Sequence, residues 1–279
     1  MQLIEEMVTY YLEHVLGATW CIVTDHCRIP LYMPSRSCAV MIDSGLKETD
    51  KKGILALLER EKICVSSLLT SHWHPDHIGN HSAIKEAHGC RVYMTPYTAI
   101  VSQNPGDLHF LGYEAHTKIG IPEKYSFCGP DEIITLDASS VTASGYQFSL
   151  LWLPGHAVEQ IGFVTPDGVA YLADTLLSEH VLNAVHLPYY TCCRQDLEAK
   201  ESLRNLCYDR YIVAHNGIYS EIGDLIDRNI ATVHEKLDMV EHLADRWITL
   251  EQLSVAVMKC VDINLDNITR VVGSKRNIR

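Results

Sequence analysis

The sequence predicts an α/β protein in which helices pack on sheets. Short apolar runs, bounded by Gly, Pro, Asp or His, alternate with amphipathic stretches from about residue 19 to residue 215. This alternation is typical of strands joined by crossover helices. The 279 residues are 47% hydrophobic and 21% charged, a balance that suits a globular chain with a large core. A chain that is disordered as its main state is therefore excluded.

The apolar runs and the amphipathic stretches predict the individual elements. Each apolar run is expected to form a buried strand, and the runs are residues 38–42, 65–69, 148–153, 169–173 and 211–214. Three stretches carry apolar residues at helical spacing, and they are residues 53–62, 78–88 and 197–206. Together they indicate strands and helices in alternation along most of the chain.

The segment 97–129 departs from this alternation. It is interrupted at Pro105 and Pro122, yet it keeps the apolar residues Phe110 and Leu111. A lid over a site and a plain surface excursion are both compatible with this composition.

The end of the chain is predicted to be helical. Residues 222–243 are amphipathic, and Thr249-Leu250-Glu251-Gln252 has the sequence of a capping box that opens a further helix through about Val261. We therefore divide the chain into a main domain, residues 1–220, and a helical C-terminal appendage, residues 221–279.

Charge and composition limit the partners. The chain has 23 Lys and Arg against 35 Asp and Glu, a formal charge of −12, which repels nucleic-acid phosphates. No apolar run approaches the roughly 18 residues that span a bilayer, and the first residues lack the basic region of a secretory signal. The ten cysteines include no Cys-x-x-Cys pair, so we expect reduced thiols. We expect a cytoplasmic protein that acts on a small molecule, without a membrane partner, and a homodimer is an open possibility.

A histidine-rich loop follows the predicted strand 65–69. Its sequence, T-S-H-W-H-P-D-H at residues 70–77, places His72 and His74 two residues apart. In an extended backbone both imidazoles leave on the same side and can share one metal ion. Asp76 and His77 follow the turn at Pro75 and can face a second ion. Four such residues at constrained positions favour a metal site over unrelated polar side chains.

Further candidates stand where predicted strands end. His156, Asp174 and His215 each come shortly after a predicted strand, and Asp43 follows an earlier one in the same way. In α/β sheets, ligands bind at this end of the strands. Imidazoles and carboxylates without a thiolate suit zinc, and they also admit iron or manganese.

With these motifs the sequence resembles the metallo-β-lactamase superfamily. The hallmark of that family is His-x-His-x-Asp-His, here within residues 72–77, followed downstream by His, Asp and His at strand ends, here His156, Asp174 and His215. The resemblance covers roughly residues 19–220. It implies a four-layer αββα sandwich of two similar halves, with a dinuclear metal site at one edge between the sheets.

The resemblance also implies a role for each site residue. The ligands of a first metal would be His72, His74 and His156. The ligands of a second metal would be Asp76, His77 and His215. Asp174 would bridge the two ions. Asp43 matches the family's first motif, which supports the metal loop from behind; it would accept an imidazole N–H and fix the tautomer of a ligand, or it caps the turn before Gly45.

Two divalent ions, with zinc as the preferred identity, predict a hydrolase. Their charge exceeds that of Asp76 and Asp174, so the centre can hold a hydroxide at neutral pH. We expect this metal-bound hydroxide to attack an ester, thioester or lactone, as in the glyoxalase II and lactonase type of site, with Asp76 and Asp174 as the catalytic carboxylates. The commonest β-lactamases carry Arg where His77 stands and Cys where Asp174 stands, so antibiotic hydrolysis is disfavoured.

Tyrosines near the site are candidates for a supporting role. Tyr189, Tyr190 or Tyr219 could donate a hydrogen bond to a developing oxyanion, although buried tyrosines commonly serve packing. The basic and aromatic residues with which glyoxalase II enzymes bind glutathione are not evident in residues 222–279. A glutathione thioester as the substrate is therefore doubtful.

Three other interpretations stay open. Phosphodiester hydrolysis of the RNase Z type would use two ions to clamp both oxygens, although the net charge opposes it. The basic residues near the end of the chain could contact phosphate, or they form a solvated tail: Arg270, Lys275, Arg276 and Arg279. A persulfide dioxygenase would use one iron on the same scaffold. A metal-bearing binding or sensory module would keep the ligands without turnover.

Overall fold

The computed structural model describes residues 10–104, 128–215, 217–244 and 247–263. Within these ranges the strands form two sheets, of seven and six strands. In the first sheet the strands lie side by side in chain order, antiparallel from β1 to β4 and parallel from β4 to β7. They are β1 (Tyr11–Leu16), β2 (Thr19–Val23), β3 (Arg28–Ser35), β4 (Cys38–Ile42), β5 (Val65–Leu69), β6 (Arg91–Met94) and β7 (Glu132–Ile133).

The second sheet repeats this plan in reverse order across the molecule, from β13 to β8. β8 to β11 are antiparallel, β11 and β12 are parallel, and β13 adds an antiparallel edge strand. The strands are β8 (Ser140–Ala143), β9 (Tyr146–Trp152), β10 (Ile161–Val164), β11 (Val169–Tyr171), β12 (Arg210–Val213) and β13 (Gly217–Tyr219).

Helices cover the outer faces of both sheets. Those that follow the first sheet's strands are α1 (Lys47–Arg60), α2 (Pro75–Ile78), α3 (His81–His88) and α4 (Pro96–Gln103). Those associated with the second sheet are α5 (Glu179–Ala184), α6 (Cys193–Ser202), α7 (Gly223–Leu243) and α8 (Leu250–Cys260). The 3-10 turn Leu203–Asn205 follows α6.

Side-chain alternation along the strands builds the layers. On β4, Val40 and Ile42 point into the layer between the sheets, where they join Phe148 and Phe163 of the second sheet. Their neighbour Met41 points the opposite way, into the cluster that the buried residues of α1 and α3 complete. A third cluster lies between the second sheet and helices α6 and α7. The result is the expected αββα sandwich, in which central strands of both sheets, such as β4 and β10, are buried on both faces.

Most predicted elements are present, and several bounds differ. β4 and β5 coincide with the predicted strands 38–42 and 65–69, whereas β9 starts and ends earlier than predicted, and β11 stops at Tyr171. The single helix expected over residues 78–88 is wrong: two helices occur there, α2 at Pro75–Ile78 and α3 at His81–His88. α2 begins at Pro75, because proline fits the first turn of a helix, where a backbone N–H has no partner within the helix. Similarly, α1 begins at Lys47 and α6 at Cys193.

The C-terminal helices have the predicted bounds within a residue or two. Thr249 and Gln252 form the capping box of α8. Leu225 and Ile226 of α7 pack into the same cluster as Ala170 and Leu172 of the second sheet region, so α7 belongs to the outer helical layer. The domain boundary at residue 220 stays a prediction.

Parts of two predictions lie outside the described residues. Of the segment 97–129, the structure describes the residues of α4 and a short stretch before β7, while residues 105–127 lie outside. The basic residues Arg270, Lys275, Arg276 and Arg279 also lie outside. Among the described residues, no helix combines the length and the hydropathy that a membrane crossing requires.

Candidate metal centre

The predicted ligands meet at one edge of the sandwich, where loops leave the ends of the strands. The loop after β5 carries four of them, and the loops after β9, β11 and β12 carry His156, Asp174 and His215. Two backbone hydrogen bonds join the sheets beside these loops. Ile161 N donates to Ser71 O at 3.0 Å, and Arg28 N donates to Ala214 O at 2.7 Å. Each bond lies next to a candidate ligand, so both loops are held in fixed register.

The first ligand group consists of three imidazoles and one carboxylate. His74 Nδ1 lies 3.0 Å from His72 Nε2 and 2.9 Å from His156 Nε2. Asp174 Oδ2 lies 3.3 Å from His156 Nε2. The four donor atoms lie within 4.8 Å of one another, which is the spacing that a single cation bridges.

The second group shares the same carboxylate. Asp174 lies 3.3 Å from both His77 Nε2 and His215 Nε2. Asp76 Oδ2 lies 3.3 Å from His215 Nε2 and 3.8 Å from His77 Nε2. Asp174 is therefore common to both groups, which is the arrangement that a bridging ligand requires.

Backbone carbonyls turn two of the imidazoles toward the centre. His156 Nδ1 lies 2.9 Å from Tyr189 O, and His215 Nδ1 lies 3.0 Å from His26 O. A carbonyl only accepts, so each Nδ1 carries the proton and donates it. In the neutral ring the lone pair is then on Nε2, the atom that faces the other ligands.

Asp43 orients the remaining imidazoles of the loop. Its Oδ2 lies 2.8 Å from His77 Nδ1 and accepts from Ser71 Oγ at 2.6 Å and from Tyr171 OH at 2.7 Å. Ser71 Oγ in turn lies 3.0 Å from His72 Nδ1. Because the Ser71 hydroxyl proton goes to Asp43, its oxygen accepts from His72, and Nε2 of His72 and His77 faces the centre.

Burial and the carboxylates set the charge of the centre. Burial lowers the pKa of His72 and His74 well below the usual histidine range, so these rings stay neutral. Burial also opposes a charge on His77, but Asp174, Asp43 and Asp76 outweigh it and raise the pKa of that ring well above its usual range. Burial would raise the pKa of Asp174, but His215 and His77 hold it well below the usual range. Asp174 and Asp76 likewise raise the pKa of His215 well above its usual range, so His77 and His215 are the two rings whose protons can balance the carboxylates.

This donor set fits divalent cations. His74 Nδ1 cannot donate to two ring nitrogens at once, since a ring nitrogen carries one proton at most. His77 Nε2 and Asp174 Oδ1 are buried without a hydrogen-bond partner, which is costly unless another group satisfies them. Cations at these two positions would satisfy every inward lone pair and displace the protons of the centre.

Two backbone positions in the centre are strained. Asp43 has a φ of 63° and Ala173, directly before Asp174, has a φ of 47°. For residues other than glycine this left-handed conformation costs roughly 1–2 kcal/mol. The surrounding hydrogen bonds hold it, including Asp43 N to Leu69 O at 2.8 Å and Ala214 N to Ala173 O at 3.1 Å. In this backbone conformation Asp43 lies behind the metal loop, against His77 Nδ1, and Asp174 lies in the centre.

A cavity of about 820 Å³ opens beside the ligands. Asp76, His156, Asp174 and His215 form part of its wall. Of the tyrosines singled out from the sequence, Tyr189 and Tyr190 line this cavity. Tyr219 is not among the described cavity residues. The Tyr189 ring lies 5.1 Å from the His74 ring and 5.3 Å from the His156 ring, measured between centroids.

Several supporting residues were not found by sequence reasoning. Ser71 and Tyr171 hold Asp43, and neither belongs to a pattern that marks it. His81 is fully buried between Ser44 Oγ, at 2.7 Å from Nδ1, and Thr70 Oγ1, at 2.8 Å from Nε2. The one sequence feature that could have indicated His81 was its position four residues after His77. Burial lowers the pKa of His81 to about 4, so it is a neutral structural histidine behind the metal loop.

The metallo-beta-lactamase superfamily model matches residues 35–215. The chain belongs to the metallo-β-lactamase superfamily. A hydroxyacylglutathione hydrolase of Haemophilus influenzae is 24% identical over 192 residues, which cover 66% of this chain and 82% of that protein. One from Chromohalobacter salexigens is 26% identical over 141 residues, which cover 50% of this chain and only 43% of that protein.

Solved structures share the fold. A metallo-beta-lactamase family protein of Thermus thermophilus superposes with a TM-score of 0.70 at 18% identity, covering 96% of this chain and 91% of that one. The BLEG-1 B3 metallo-beta-lactamase superposes with a TM-score of 0.58 at 18% identity, covering 74% of this chain and 94% of that one. The family and the curated relatives indicate a metal-dependent hydrolase. The αββα fold expected from the sequence is confirmed.

Proposed function

We propose that this hydrolase cleaves an ester, thioester or lactone of a small molecule at a dinuclear metal centre. The observation that supports the proposal best is the shared position of Asp174, which lies in both ligand groups and also in the wall of the cavity. The ligands of the proposed centre are His72, His74, Asp76, His77, His156, Asp174 and His215, and Asp43 positions His77. The relatives named hydroxyacylglutathione hydrolase act on a thioester by name, in support of the same bond class.

Two divalent cations in this centre would supply Lewis acidity toward the carbonyl oxygen and lower the pKa of a water molecule to around 7. We propose zinc first, because nitrogen and oxygen donors without thiolate suit it; iron and manganese accept the same donors.

The side chains divide the remaining work. The Asp76 side chain is 28% exposed and the Asp174 side chain 4% exposed. Asp76 therefore faces the substrate side, where its carboxylate can orient a water molecule. Asp174 is more enclosed and belongs to both ligand groups. Tyr190 lines the cavity and keeps its hydroxyl proton, because burial and the neighbouring Cys193 thiol raise its pKa.

The first experiment is elemental analysis of protein purified without added metal or a metal-affinity tag. Near two zinc or manganese ions per chain supports the proposal, and near one iron would instead favour the dioxygenase interpretation. A screen of carboxylic esters, thioesters, lactones and bis-p-nitrophenyl phosphate then ranks the bond classes. Turnover of the phosphodiester alone would replace the proposal by the phosphodiesterase interpretation.

Substitution of the ligands tests the assignment. We expect His74→Ala and Asp174→Ala to fold and to lose at least about a hundredfold in kcat/KM, because each removes a donor from the centre. Asp131→Asn is the control, since that carboxylate pairs with Lys85 on the surface. Unchanged turnover in either ligand variant, measured beside the metal content, would contradict the site.

A further inference from the structure

The cavity has two chemically different sides. The ligand side chains of the metal centre form one side. Much of the rest is aliphatic and comes from the loop and helix after Asp174 and from α7: Leu177, Val181, Leu182, Val185, Leu187 and Val233. A substrate bound at the metal centre therefore has an apolar wall beside it.

Helix α5 is incompletely buried within the fold. None of its six residues is buried, although Val181 and Leu182 are apolar, and both are only half-buried. Val185, directly after the helix, is half-buried as well. Transfer of apolar surface out of water is favourable. A ligand in the cavity would complete the burial of this helix, as is typical of small-molecule sites with apolar walls.

The charges on the cavity wall are compensated. Among the described residues that line it, Lys200 is the one Lys or Arg, and its ammonium donates to Asp196 four residues earlier on α6. Lys200 is 5% exposed and Asp196 2%, so the pair is enclosed and neutral as a unit. Outside this pair and the metal ligands, the acidic residues and histidines of the described wall are Asp25, His26 and His180, all exposed.

These features disfavour a substrate with several charges. Glutathione carries two carboxylates and an ammonium group, and each carboxylate needs a cationic or N–H partner when it leaves water. Lys200 is the one Lys or Arg among the described residues of the wall, and Asp196 already accepts from it. An aliphatic chain, in contrast, needs no polar partner.

We propose that the aliphatic wall is a subsite for the alkyl chain of the acyl group, so that the substrates are aliphatic acyl esters, thioesters or lactones. This inference rests on the proposed function. The carbonyl end lies at the metal centre, and the chain lies along Val181 and Val185 of the α5 region and Val233 of α7.

The first test measures kcat/KM for p-nitrophenyl acetate, butanoate, hexanoate, octanoate and decanoate with the metal-loaded enzyme. Each methylene that enters an apolar subsite is expected to raise kcat/KM about fourfold until the cavity is filled. Val181→Asp removes this rise, because the longer chains would meet a carboxylate. Val255→Asp is the matched control: Val255 is 39% exposed on α8 and is not among the described cavity residues, so the rise persists.

Two further variants keep the test decisive where Val181→Asp does not fold. Val181→Thr keeps the shape of valine and adds a hydroxyl, so it weakens the chain-length dependence. Ala184→Phe places a ring at an exposed position of the cavity wall and moves the optimum to shorter chains, which a merely structural change would not do. Equal kcat/KM for all chain lengths, or an optimum that no variant moves, overturns the subsite.

Binding of the product acids separates the subsite from the proposed function. Isothermal titration calorimetry with hexanoate, octanoate and decanoate is expected to show affinity that increases with chain length, and Val181→Asp loses that increase. This result without ester turnover supports the subsite and overturns the proposed function. Ester turnover without chain-length dependence in rate or binding overturns the subsite and leaves the function standing. Neither turnover nor binding overturns both.

Discussion

At the scale of single residues, hydrogen bonds on the outer side of the imidazoles prepare the centre. His156 and His215 are held by carbonyl oxygens and His77 by Asp43. These contacts decide which nitrogen carries the proton, and hence which nitrogen can bind a cation. A substitution that leaves every ligand in place can therefore still lower metal affinity.

Asp43→Asn tests this point. Asp43 accepts from Ser71 N, Ser71 Oγ and Tyr171 OH and faces His77 Nδ1. An asparagine has one accepting oxygen, and its amide nitrogen would face donors. We expect metal affinity, measured by chelator competition, to fall about 10- to 100-fold. The surface control Asp131→Asn keeps the native affinity, and equal affinity in both variants would contradict the role of Asp43.

His81 gives the folded protein a pH dependence of its own. Its pKa is about 4 in the folded chain because of burial, against 6.5 for an unperturbed histidine. Between these pH values the unfolded chain binds a proton that the folded chain does not. The free energy of unfolding therefore falls as the pH falls through this window, by up to about 3 kcal/mol at its lower end.

His81→Gln should remove this contribution. Urea unfolding of the metal-free wild type and variant, measured across the same pH window, is expected to show a shallower pH dependence in the variant. The other histidines are common to both proteins, so their titration cancels in the difference. Parallel curves would show that His81 does not carry the effect.

At the scale of elements, helix α6 lies directly against the loop that carries His156. A Cβ built on Gly155 would lie 2.2 Å from Asp196 N, and Gly155 has a φ of 133°. Thr191 N and Cys192 N both donate to Gly155 O, at 2.7 Å and 3.0 Å. Glycine is thus required for the close approach that sets the position of His156.

We expect Gly155→Ala to lower the free energy of unfolding by about 3 kcal/mol, since it combines a backbone clash with an unfavourable φ. Gly168→Ala is the matched control: its φ is 77°, and a Cβ there meets nothing within 4 Å, so about 1 kcal/mol is expected. Urea unfolding and metal affinity are measured for both. Equal losses would show that contact with α6 is unimportant.

The elements also show how far the sequence predicts the structure. β4 and β5 were predicted correctly because their apolar runs are buried on both faces. The start of α2 was missed because Pro75 was interpreted as a turn rather than as a first helical residue. The burial of His81 could not be predicted, because its partners Ser44 and Thr70 come from other parts of the chain. All seven predicted ligands lie together, whereas the aliphatic wall from α5 depends on packing that no local motif marks.

At the scale of the whole molecule, the candidate ligands come from both sheets. His72, His74, Asp76 and His77 follow β5 of the first sheet, and His156, Asp174 and His215 follow strands of the second. Cations held by both groups would connect the two halves of the sandwich. Metal binding should then stabilise the entire fold and not the loops alone.

Removal of metal tests this coupling. At about a hundred times its Kd, an ion that binds only the folded chain adds about 3 kcal/mol to the free energy of unfolding. We expect chelation to lower the Tm by several degrees in a single transition, and zinc to restore it. His74→Ala should respond less to both treatments. A Tm that is insensitive to chelation of metal-loaded protein would contradict the coupling between the sheets.

The distribution of ligands also orders events during synthesis on the ribosome. The four candidate ligands at residues 72–77 leave the exit tunnel first. His215 lies 138 residues after His77 and leaves it last. A growing chain therefore displays a partial set of donors that lacks the shared carboxylate Asp174. In the proposed dinuclear centre, loading with both ions would become possible only after the second sheet has emerged and packed on the first, so we expect metal acquisition to be a late step in maturation.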